Sequence, residues 1–298
     1  MESRLESAGL IGLGLIGGSL GLALRAQGVA RVVGWDRPEA LDAAAARGAI
    51  TEAATTLAGA CQAQVVVLAA PVGVILDLLP EVLAAAPETS LVTDTGSTKA
   101  AIARRAGDHL PKLAAPPLFA GGHPLAGSER SGLEFSRASL FTGAPWLLCG
   151  APEAAGDLRA QRWETMLARL GARVAWMPAE RHDALMARLS HLPQLLSTAL
   201  AALLQQELGG HLEDLQYSGS GLRDMLRLAG SSYALWRDIL LTNGEEITAA
   251  LGAFEQLLDH LRFQLRTREL ETVFQAARRV YDARAPQSAP AGAAGEGK

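Results

Sequence analysis

The apolar residues in the first 178 positions occur in short continuous runs that are separated by segments with helical spacing. The runs cover residues 8–11, 31–35, 64–70, 90–94, 118–122, 145–149 and 173–177. Runs of this length are typical of parallel strands that are buried on both faces of a sheet. Because helical segments alternate with them, we predict an α/β domain built on a parallel sheet that is covered on both faces by helices.

The pattern then changes, since strand-like runs cease and apolar residues recur with the period of a helix. We place a domain boundary near Pro178, which gives a sheet domain at residues 1–178 and an all-helical domain at residues 179–284. Glycine-containing breaks divide the helical domain at positions 209–210, 219–221, 230–232 and 243–244. Residues 285–298 carry almost no bulky apolar side chain, so we expect this tail to be disordered.

A glycine-rich turn joins the first apolar run to the first helical segment, with Gly12, Gly14 and Gly17 in the order G-x-G-x-x-G. In a dinucleotide-binding unit, the first glycine makes the tight turn, the second lets the backbone approach a pyrophosphate, and the third lets helix and strand pack closely. The start of the helix, at Leu15 and Ile16, adds unpaired N–H groups and partial positive charge. The first domain is therefore predicted to be of Rossmann type.

An acidic residue ends the next apolar run, because Asp36 follows Gly17 by nineteen positions. A carboxylate at the tip of the second strand accepts hydrogen bonds from ribose hydroxyls and repels a 2′-phosphate. Asp36 therefore favours NAD over NADP as the cofactor. Arg37 lies beside it and is expected to soften that preference, so NADP stays an alternative.

Composition and charge limit the partners. Hydrophobic residues make up 49% and charged residues 19% of the chain, as in ordinary soluble proteins, and no apolar run is long enough to span a membrane. The net charge of −4 gives no reason to expect nucleic acid or a membrane surface as a partner, so a few placed arginines must hold any anionic substrate. Cys61 and Cys149 lack metal-type spacing; we expect no metal site, and buried free thiols fit a cytoplasmic protein.

Two polar clusters, residues 94–99 and 121–129, follow strands of the predicted sheet. Ligands bind beyond the carboxyl ends of the strands in sheets of this kind. His123 lies in the second cluster, and its neutral form suits a general base near pH 7. Ser97 and Lys99 lie in the first, where they are equally compatible with capping the helix that follows.

The helical domain carries further polar candidates. His182 and Asp183 lie near the start of its first helix, and His191 lies further along. Arg223 and Arg227 are four positions apart, which places them on one face of a helix. Such a pair either forms surface ion pairs or binds a substrate carboxylate, for which the guanidinium group is well suited.

These motifs occur in one characteristic order along the chain. The order is Gly12-x-Gly-x-x-Gly17, Asp94-x-Gly-Ser-x-Lys99, Gly122-His-Pro-x-x-Gly127-Ser-Glu, His182-Asp183, Ser190-His-Leu-Pro193, Gly221-x-Arg-Asp-x-x-Arg227 and Trp236-x-Asp238-Ile. Over residues 9–283 the chain thereby resembles the prephenate/arogenate dehydrogenases of tyrosine biosynthesis. The resemblance implies oxidative decarboxylation of prephenate and/or arogenate with hydride transfer to NAD. It also implies a homodimer that forms through the helical domain.

The resemblance further implies the roles of residues near the chemistry. His123 is implied to be the base for the hydroxyl group of the substrate. Ser97 would bond the same hydroxyl and help to orient His123. His182 and Asp183 would be structural or electrostatic supports at the domain junction, together with Lys99.

On the substrate side, Arg223 is implied to pair with a carboxylate, Arg227 shares its helix face, and His191 lies near the substrate. Many family members have a second histidine where this chain has Gln194, and a phenylalanine where it has Leu222. These departures bear on which substrate is used. We expect the neutral amide of Gln194 to accept the ammonium group of arogenate and still donate to the keto acid of prephenate.

Two other functions fit parts of the pattern. The first is a Rossmann dehydrogenase of the β-hydroxyacid or imine-reducing kind, which usually depends on a lysine in its helical domain. Residues 179–297 contain no lysine, which argues against it. The second is a non-catalytic NAD-sensing protein, for which His123, Ser97 and Arg223 would have no reason to converge.

Overall fold

The computed structural model describes residues 4–127, 132–267 and 270–284. By its internal contacts the chain divides into two compact units, Met1–Ile247 and Thr248–Lys298. The first unit thus holds both the sheet region and the first helices after Pro178, and the sequence-based boundary there stays a prediction. The tail expected to be disordered, residues 285–298, lies outside the described residues.

The strands in the described part of the chain are β1 (Ser7–Ile11), β2 (Arg31–Trp35), β3 (Glu52–Ala53), β4 (Val65–Leu68), β5 (Leu91–Asp94), β6 (Leu118–Phe119), β7 (Gly121–Pro124), β8 (Pro145–Cys149) and β9 (Arg173–Met177). The helices there are α1 (Leu15–Ala26), α2 (Pro38–Ala46), α3 (Leu57–Ala60), α4 (Val72–Ala85), α5 (Ala100–His109), α6 (Pro152–Gly156), α7 (Leu158–Arg169), α8 (Ala179–Met186), α9 (Leu192–Leu208), α10 (Ser220–Leu226), α11 (Tyr233–Thr242), α12 (Gly244–Gln264) and α13 (Leu270–Arg284).

The main sheet has six strands in the order β3-β2-β1-β4-β5-β6, and all of its pairings are parallel. This is the strand order of the Rossmann fold, with the order reversing between β1 and β4. The predicted α/β class and the predicted helical region after it are confirmed. The short strand β3 has no counterpart among the predicted strands.

Both faces of this sheet are buried, as continuous apolar strands require. Along β4, Val65 and Val67 pack into one core with α1 and α7, whereas Val66 and Leu68 pack into the other with α4 and α5. Alternate side chains of one strand therefore stabilise opposite layers. Phe141, Trp146 and Trp163 extend the first core, with ring centroids 5.0 Å and 6.1 Å apart in successive pairs.

The later strands differ from the prediction, because they form a second sheet in the order β7-β8-β9. The run at residues 118–122, predicted as one strand, is divided at Ala120 between the two sheets. A Cβ at Gly122 would overlap the carbonyl oxygen of Asp94, so the glycine lets β7 cross close over the end of β5. The helical segment between β8 and β9 is likewise divided, at Asp157, whose carboxylate caps α7.

A single helical rod runs from α8 into α9 through a π-helical turn at Ala187–His191. Pro193 has no N–H to donate to the turn before it, which favours irregular backbone at this point. The rod ends at Gly209, with a φ of 55°. Among the described helices, none combines the length and the apolar character that crossing a bilayer requires.

Candidate functional site

The glycine-rich turn between β1 and α1 leaves the start of α1 open. Gly12 has a φ of 96°, which favours glycine, and a Cβ on Gly17 would overlap the carbonyl oxygen of Gly12. A Cβ on Gly14 would meet no described atom within 4 Å. No side chain of the described residues caps α1, so the N–H groups of Leu15 and Ile16 are available to a phosphate. The turn therefore fits the pyrophosphate of a dinucleotide.

Asp36 lies beside this turn, at the end of β2. Its Oδ2 accepts a hydrogen bond from Leu13 N at 2.6 Å, and its Oδ1 accepts one from Arg37 N at 2.7 Å. The Arg37 guanidinium is 4.0 Å from the carboxylate, and its side chain is 86% exposed. The acid is thus fixed against the turn, whereas the arginine extends into solvent.

A buried ion pair fixes the loop after β5. Lys99 Nζ binds Asp94 Oδ1, and Gly96 N donates to the same oxygen at 2.7 Å. Gly122 N donates to the other oxygen at 3.4 Å. Because a buried ammonium group requires a partner, this pair holds the segment of Ser97 in register with the start of β7.

Asp183, on α8, caps helix α5. Lys99 N donates to its Oδ1 at 2.7 Å, and Ala100 N donates to its Oδ2 at 2.8 Å. A carboxylate at a helix N-terminus is stabilised by the unpaired N–H groups and the helix dipole. The capping that the sequence suggested for Ser97 or Lys99 is therefore supplied by a residue 84 positions away from Lys99.

Asp183 also begins a chain of hydrogen bonds that ends at His123. Its Oδ1 lies 2.8 Å from His182 Nδ1, and His182 Nε2 lies 2.8 Å from His123 Nδ1. The carboxylate only accepts, so Nδ1 of His182 carries a proton, and in the neutral ring Nε2 is then an acceptor. His123 must then donate from Nδ1, which leaves the lone pair on its Nε2. The arrangement gives His123 the tautomer of a base.

The surroundings also keep His123 neutral. Its burial and, to smaller extents, His182, Lys99 and His191 lower the pKa of His123 well below the usual value of 6.5. Burial disfavours the charged imidazolium, and the positive charge of Lys99 acts in the same direction. At neutral pH the side chain is therefore ready to accept a proton.

His191 lies at the end of the π-helical turn, fully buried. Its Nδ1 is 3.2 Å from Asn243 Nδ2, and the edge of its ring meets Trp236 with centroids 5.8 Å apart. Burial lowers the pKa of His191 to about 4 against the opposing effect of Asp183. His191 is thus a second neutral histidine, and it contributes slightly to the lowered pKa of His123.

Ser97 is half-buried in the loop between β5 and α5. The structure gives it no hydrogen bond to another described residue, so its hydroxyl is free for a ligand. The hydrogen bond that orients His123 comes from His182 instead.

Arg223 and Arg227 line one shallow groove of about 390 Å³, so they share a helix face as expected. Both side chains are exposed, and neither pairs with an acidic side chain among the described residues. The described lining of this groove does not include His123 or His191. The other residues that line the groove are Leu215, Ser218, Leu222 and Leu226.

Two buried polar residues of α9 attach the arginine-bearing segment. Gln194 Nε2 donates to Leu228 O at 2.8 Å and to Thr198 Oγ1 at 3.3 Å, and Ser197 Oγ donates to Met225 O at 2.6 Å. Both amide N–H groups of Gln194 are therefore engaged. The expectation that Gln194 donates to a keto acid is not compatible with this arrangement, which leaves only its carbonyl oxygen for a ligand.

Sequence reasoning missed most contacts that join the helices to the sheet region. Asp238 Oδ2 accepts from Gly73 N at 2.9 Å, at the start of α4, which lowers the pKa of Asp238. The hydroxyls of Thr98 and Thr242 lie 2.8 Å apart. The glycine-containing break at 243–244 predicts only the end of a helix, yet Asn243 there contacts both Asp183 and His191. The feature of the sequence that could have indicated this contact is an uncharged polar residue at a helix break.

The described residues contain no group of three or more histidine, cysteine, aspartate or glutamate side chains placed to hold a metal ion. Residues 128 and 129, the last two of the second polar cluster, lie outside the described residues. Cys61 and Cys149 are free and buried, and burial raises the pKa of each thiol to about 12.

Two family models match the chain in succession. The model of the prephenate dehydrogenase nucleotide-binding domain matches residues 20–176, and that of the prephenate dehydrogenase dimerization domain matches residues 178–278. The prephenate dehydrogenase of Bacillus subtilis (strain 168) is 33% identical over 95% of this chain and 76% of its own length.

Solved structures agree with these matches. Prephenate dehydrogenase from Aquifex aeolicus, in complex with hydroxyphenyl propionate and NAD+, has a TM-score of 0.81 and 28% identity, covering 95% of this chain and 99% of that one. Synechocystis arogenate dehydrogenase has a TM-score of 0.80 and 28% identity, covering 93% and 99%.

The contrast between Gly14 and Gly17 gives a test of the cofactor turn. Gly14→Ala is expected to change the free energy of unfolding by less than about 1 kcal/mol, and to weaken NAD binding roughly tenfold or more by blocking backbone approach to the pyrophosphate. Gly17→Ala should destabilise the protein by more than about 2 kcal/mol, because its Cβ overlaps backbone. Urea unfolding without cofactor and titration with NAD separate the two effects. Full NAD affinity in Gly14→Ala would place the dinucleotide elsewhere.

Proposed function

Since this chain belongs to the prephenate dehydrogenase family, we propose that His123 is its general base, held in the required tautomer by His182 and Asp183. The chain is an NAD-dependent oxidoreductase that converts prephenate and/or arogenate to 4-hydroxyphenylpyruvate or tyrosine. Bound NAD supplies the hydride acceptor. The observation that carries the proposal is the hydrogen-bond chain from Asp183 through His182 to His123, from which we infer an unprotonated Nε2 on His123.

One base suffices for this chemistry. The substrate loses hydride from ring carbon 4 and the proton of the hydroxyl group on the same carbon, which leaves a carbonyl. The bond to the ring carboxylate then breaks, carbon dioxide leaves, and the electron pair aromatises the ring as a phenolate. His123 Nε2 takes the hydroxyl proton in the first step and returns it to the phenolate oxygen in the second. Since no net proton is released, the site mainly needs correct positioning.

We assign carboxylate binding to the arginine pair on α10 and the turn after it. Arg223 and Arg227 line the same groove and are exposed to an incoming anion. Arginine binds carboxylate bidentately. The net charge of −4 offers no general attraction for an anion, so a local pair of guanidinium groups is the feature that would capture the substrate.

We propose that Gln194 favours acceptance of arogenate. Its amide hydrogens are engaged by Leu228 O and Thr198 Oγ1, so it offers an acceptor oxygen. That oxygen attracts the ammonium group of an alanyl side chain and has no donor for the pyruvyl group of prephenate. In the same way, the fixed carboxylate of Asp36 supports NAD as the preferred dinucleotide, because it would repel the 2′-phosphate of NADP.

We further propose that two copies of the chain form a dimer through the helical region. The match to a dimerization domain supports this, as do large apolar side chains that are more than half exposed and would be covered in a dimer. They include Leu203, Tyr217, Tyr233, Leu235 and Leu241 in the first unit and Phe263, Phe274 and Tyr281 in the second. The two free thiols fit a cytoplasmic location.

The role of His123 predicts both a loss of turnover and a pH profile. His123→Asn should lower kcat by roughly 10²–10⁴-fold with little change in NAD affinity, whereas His211→Asn, at an exposed histidine, should have no effect. Because the pKa of His123 lies well below 6.5, the base is already neutral at that pH. The kcat/KM of the wild type should therefore stay level through pH 6.5 and fall only in more acidic buffer. An acidic limb centred at or above pH 6.5, or an active His123→Asn variant, would contradict the role.

Replacing each arginine separately tests the carboxylate site. Arg223→Ala or Arg227→Ala should raise KM by roughly 10- to 150-fold, the effect of about 1.5–3 kcal/mol from a charge-assisted hydrogen bond, with a smaller change in kcat. The interaction exists in ground and transition states alike, so it acts mainly on KM. Arg104→Ala, at an exposed arginine, is the control. Unchanged KM in both variants would make the pair ordinary surface charges.

Gln194 is tested with both substrates. We expect the wild type to accept arogenate, and Gln194→His to shift the ratio of the two kcat/KM values toward prephenate by about 1–2 kcal/mol, the scale of one hydrogen bond to a charged group. An imidazole restores a donor and, when protonated, a positive charge next to the side chain of the substrate. Thr198→Val removes the weaker acceptor of Gln194, frees one amide N–H as a donor, and should shift the ratio toward prephenate by a smaller amount. A wild type that ignores arogenate would refute this assignment.

A further inference from the structure

Asn243, the only asparagine in the sequence, is buried between helices α11 and α12, with 4% of its surface exposed. Its Nδ2 lies 2.9 Å from the main-chain carbonyl oxygen of Asp183 and 3.2 Å from His191 Nδ1. The side chain thus joins the residue that supports His123 to the second buried histidine.

The chemistry of these partners determines the direction of both hydrogen bonds. A carbonyl oxygen only accepts, so the nitrogen end of the Asn243 amide must face Asp183 O. The second N–H of the same nitrogen faces His191 Nδ1, which must therefore be an unprotonated acceptor. The proton of neutral His191 is then on Nε2. Unlike an amide placed between ambiguous partners, this one has its orientation fixed by a main-chain group.

The result is an N–H group that is free to bind a ligand. No described residue accepts a hydrogen bond from His191 Nε2, and burial lowers the pKa of His191 to about 4, so the ring is neutral at physiological pH. His191 consequently has one fixed tautomer and offers a donor at Nε2. His123 has the opposite tautomer and offers an acceptor at its own Nε2.

We propose that Asn243 is a positioning residue that makes His191 a hydrogen-bond donor to an oxygen of the substrate, while Asp183 makes His123 the acceptor. This rests on the proposed role of His123. Asp183 directs both histidines: its carboxylate acts through His182, and its main-chain carbonyl acts through Asn243. The site can thereby accept the hydroxyl proton at one imidazole and bind a second oxygen at the other without either ring changing roles.

Nitrogen NMR of the full-length protein labelled at histidine tests the tautomer directly and needs no variant. We expect the ring signals of wild-type His191, assigned by their loss in His191→Gln, to show a proton on Nε2 at neutral pH. A wild-type His191 protonated on Nδ1 would overturn the inference, whatever the activity of any variant.

Asn243→Asp tests the consequence, because a carboxylate of the same shape accepts where the amide donates. It should move the His191 proton to Nδ1 and lower kcat roughly 10- to 100-fold, the effect of losing one polar contact to the substrate, with NAD affinity unchanged. Gln205→Glu adds the same charge at an exposed position and is the control. A moved proton with unchanged kcat would refute the donor role. If the variant fails to fold, the wild-type spectrum still decides. Failure of the His123 proposal would appear separately, as an active His123→Asn enzyme.

Discussion

The buried carboxylate of Asp183 is the interaction on which the arrangement of the site depends. It accepts hydrogen bonds from two main-chain N–H groups at the start of α5 and from His182. A carboxylate this far from water is strongly unfavourable unless such donors surround it. The positive end of α5 and the imidazole N–H offset that cost together. The same carboxylate holds the start of α5 and determines which nitrogen of His182 is protonated. A substitution of Asp183 would therefore change both the packing of the helix and the tautomer of the histidine.

Two polar contacts between the helices and the sheet region are made at helix N-termini. Asp183 binds the start of α5, and Asp238 binds the start of α4. Both helices follow strands whose carboxyl ends form the ligand-binding edge of the sheet. Asp238 and its partner Gly73 are 165 positions apart in sequence. The site is therefore assembled from segments that are distant in sequence. Each segment is held by a hydrogen bond from a main-chain N–H group to a carboxylate, and the direction of that N–H group is fixed by the helix.

The parts of the fold that depend on local pattern could be predicted, and those that depend on distant contacts could not. The apolar runs and the glycine turn at Gly12 follow from burial and backbone sterics, so they can be recognised in the sequence alone. The crossing of β7 over β5 depends on the space at Gly122. A glycine in a sequence is compatible with several other structural roles, so it does not by itself predict such a crossing. The tautomers of His123 and His191 depend on Asp183 and Asn243, which neither histidine has as a neighbour in sequence. The hydrogen bond from the Gln194 amide to Leu228 O could not be predicted for the same reason, because the two residues are 34 positions apart in sequence.

The π-helical turn at Ala187–His191 has a geometric consequence for the whole rod. In a regular α-helix each residue turns by about 100°, so Asp183 and His191, eight positions apart, would lie about 80° apart around the axis. One extra residue in a turn removes about 100° from that separation and leaves about 20°. Asp183 and His191 then lie nearly above one another, where a single short side chain reaches both. The local irregularity in the backbone is what lets one helical element present two groups, two helical turns apart, in the same direction.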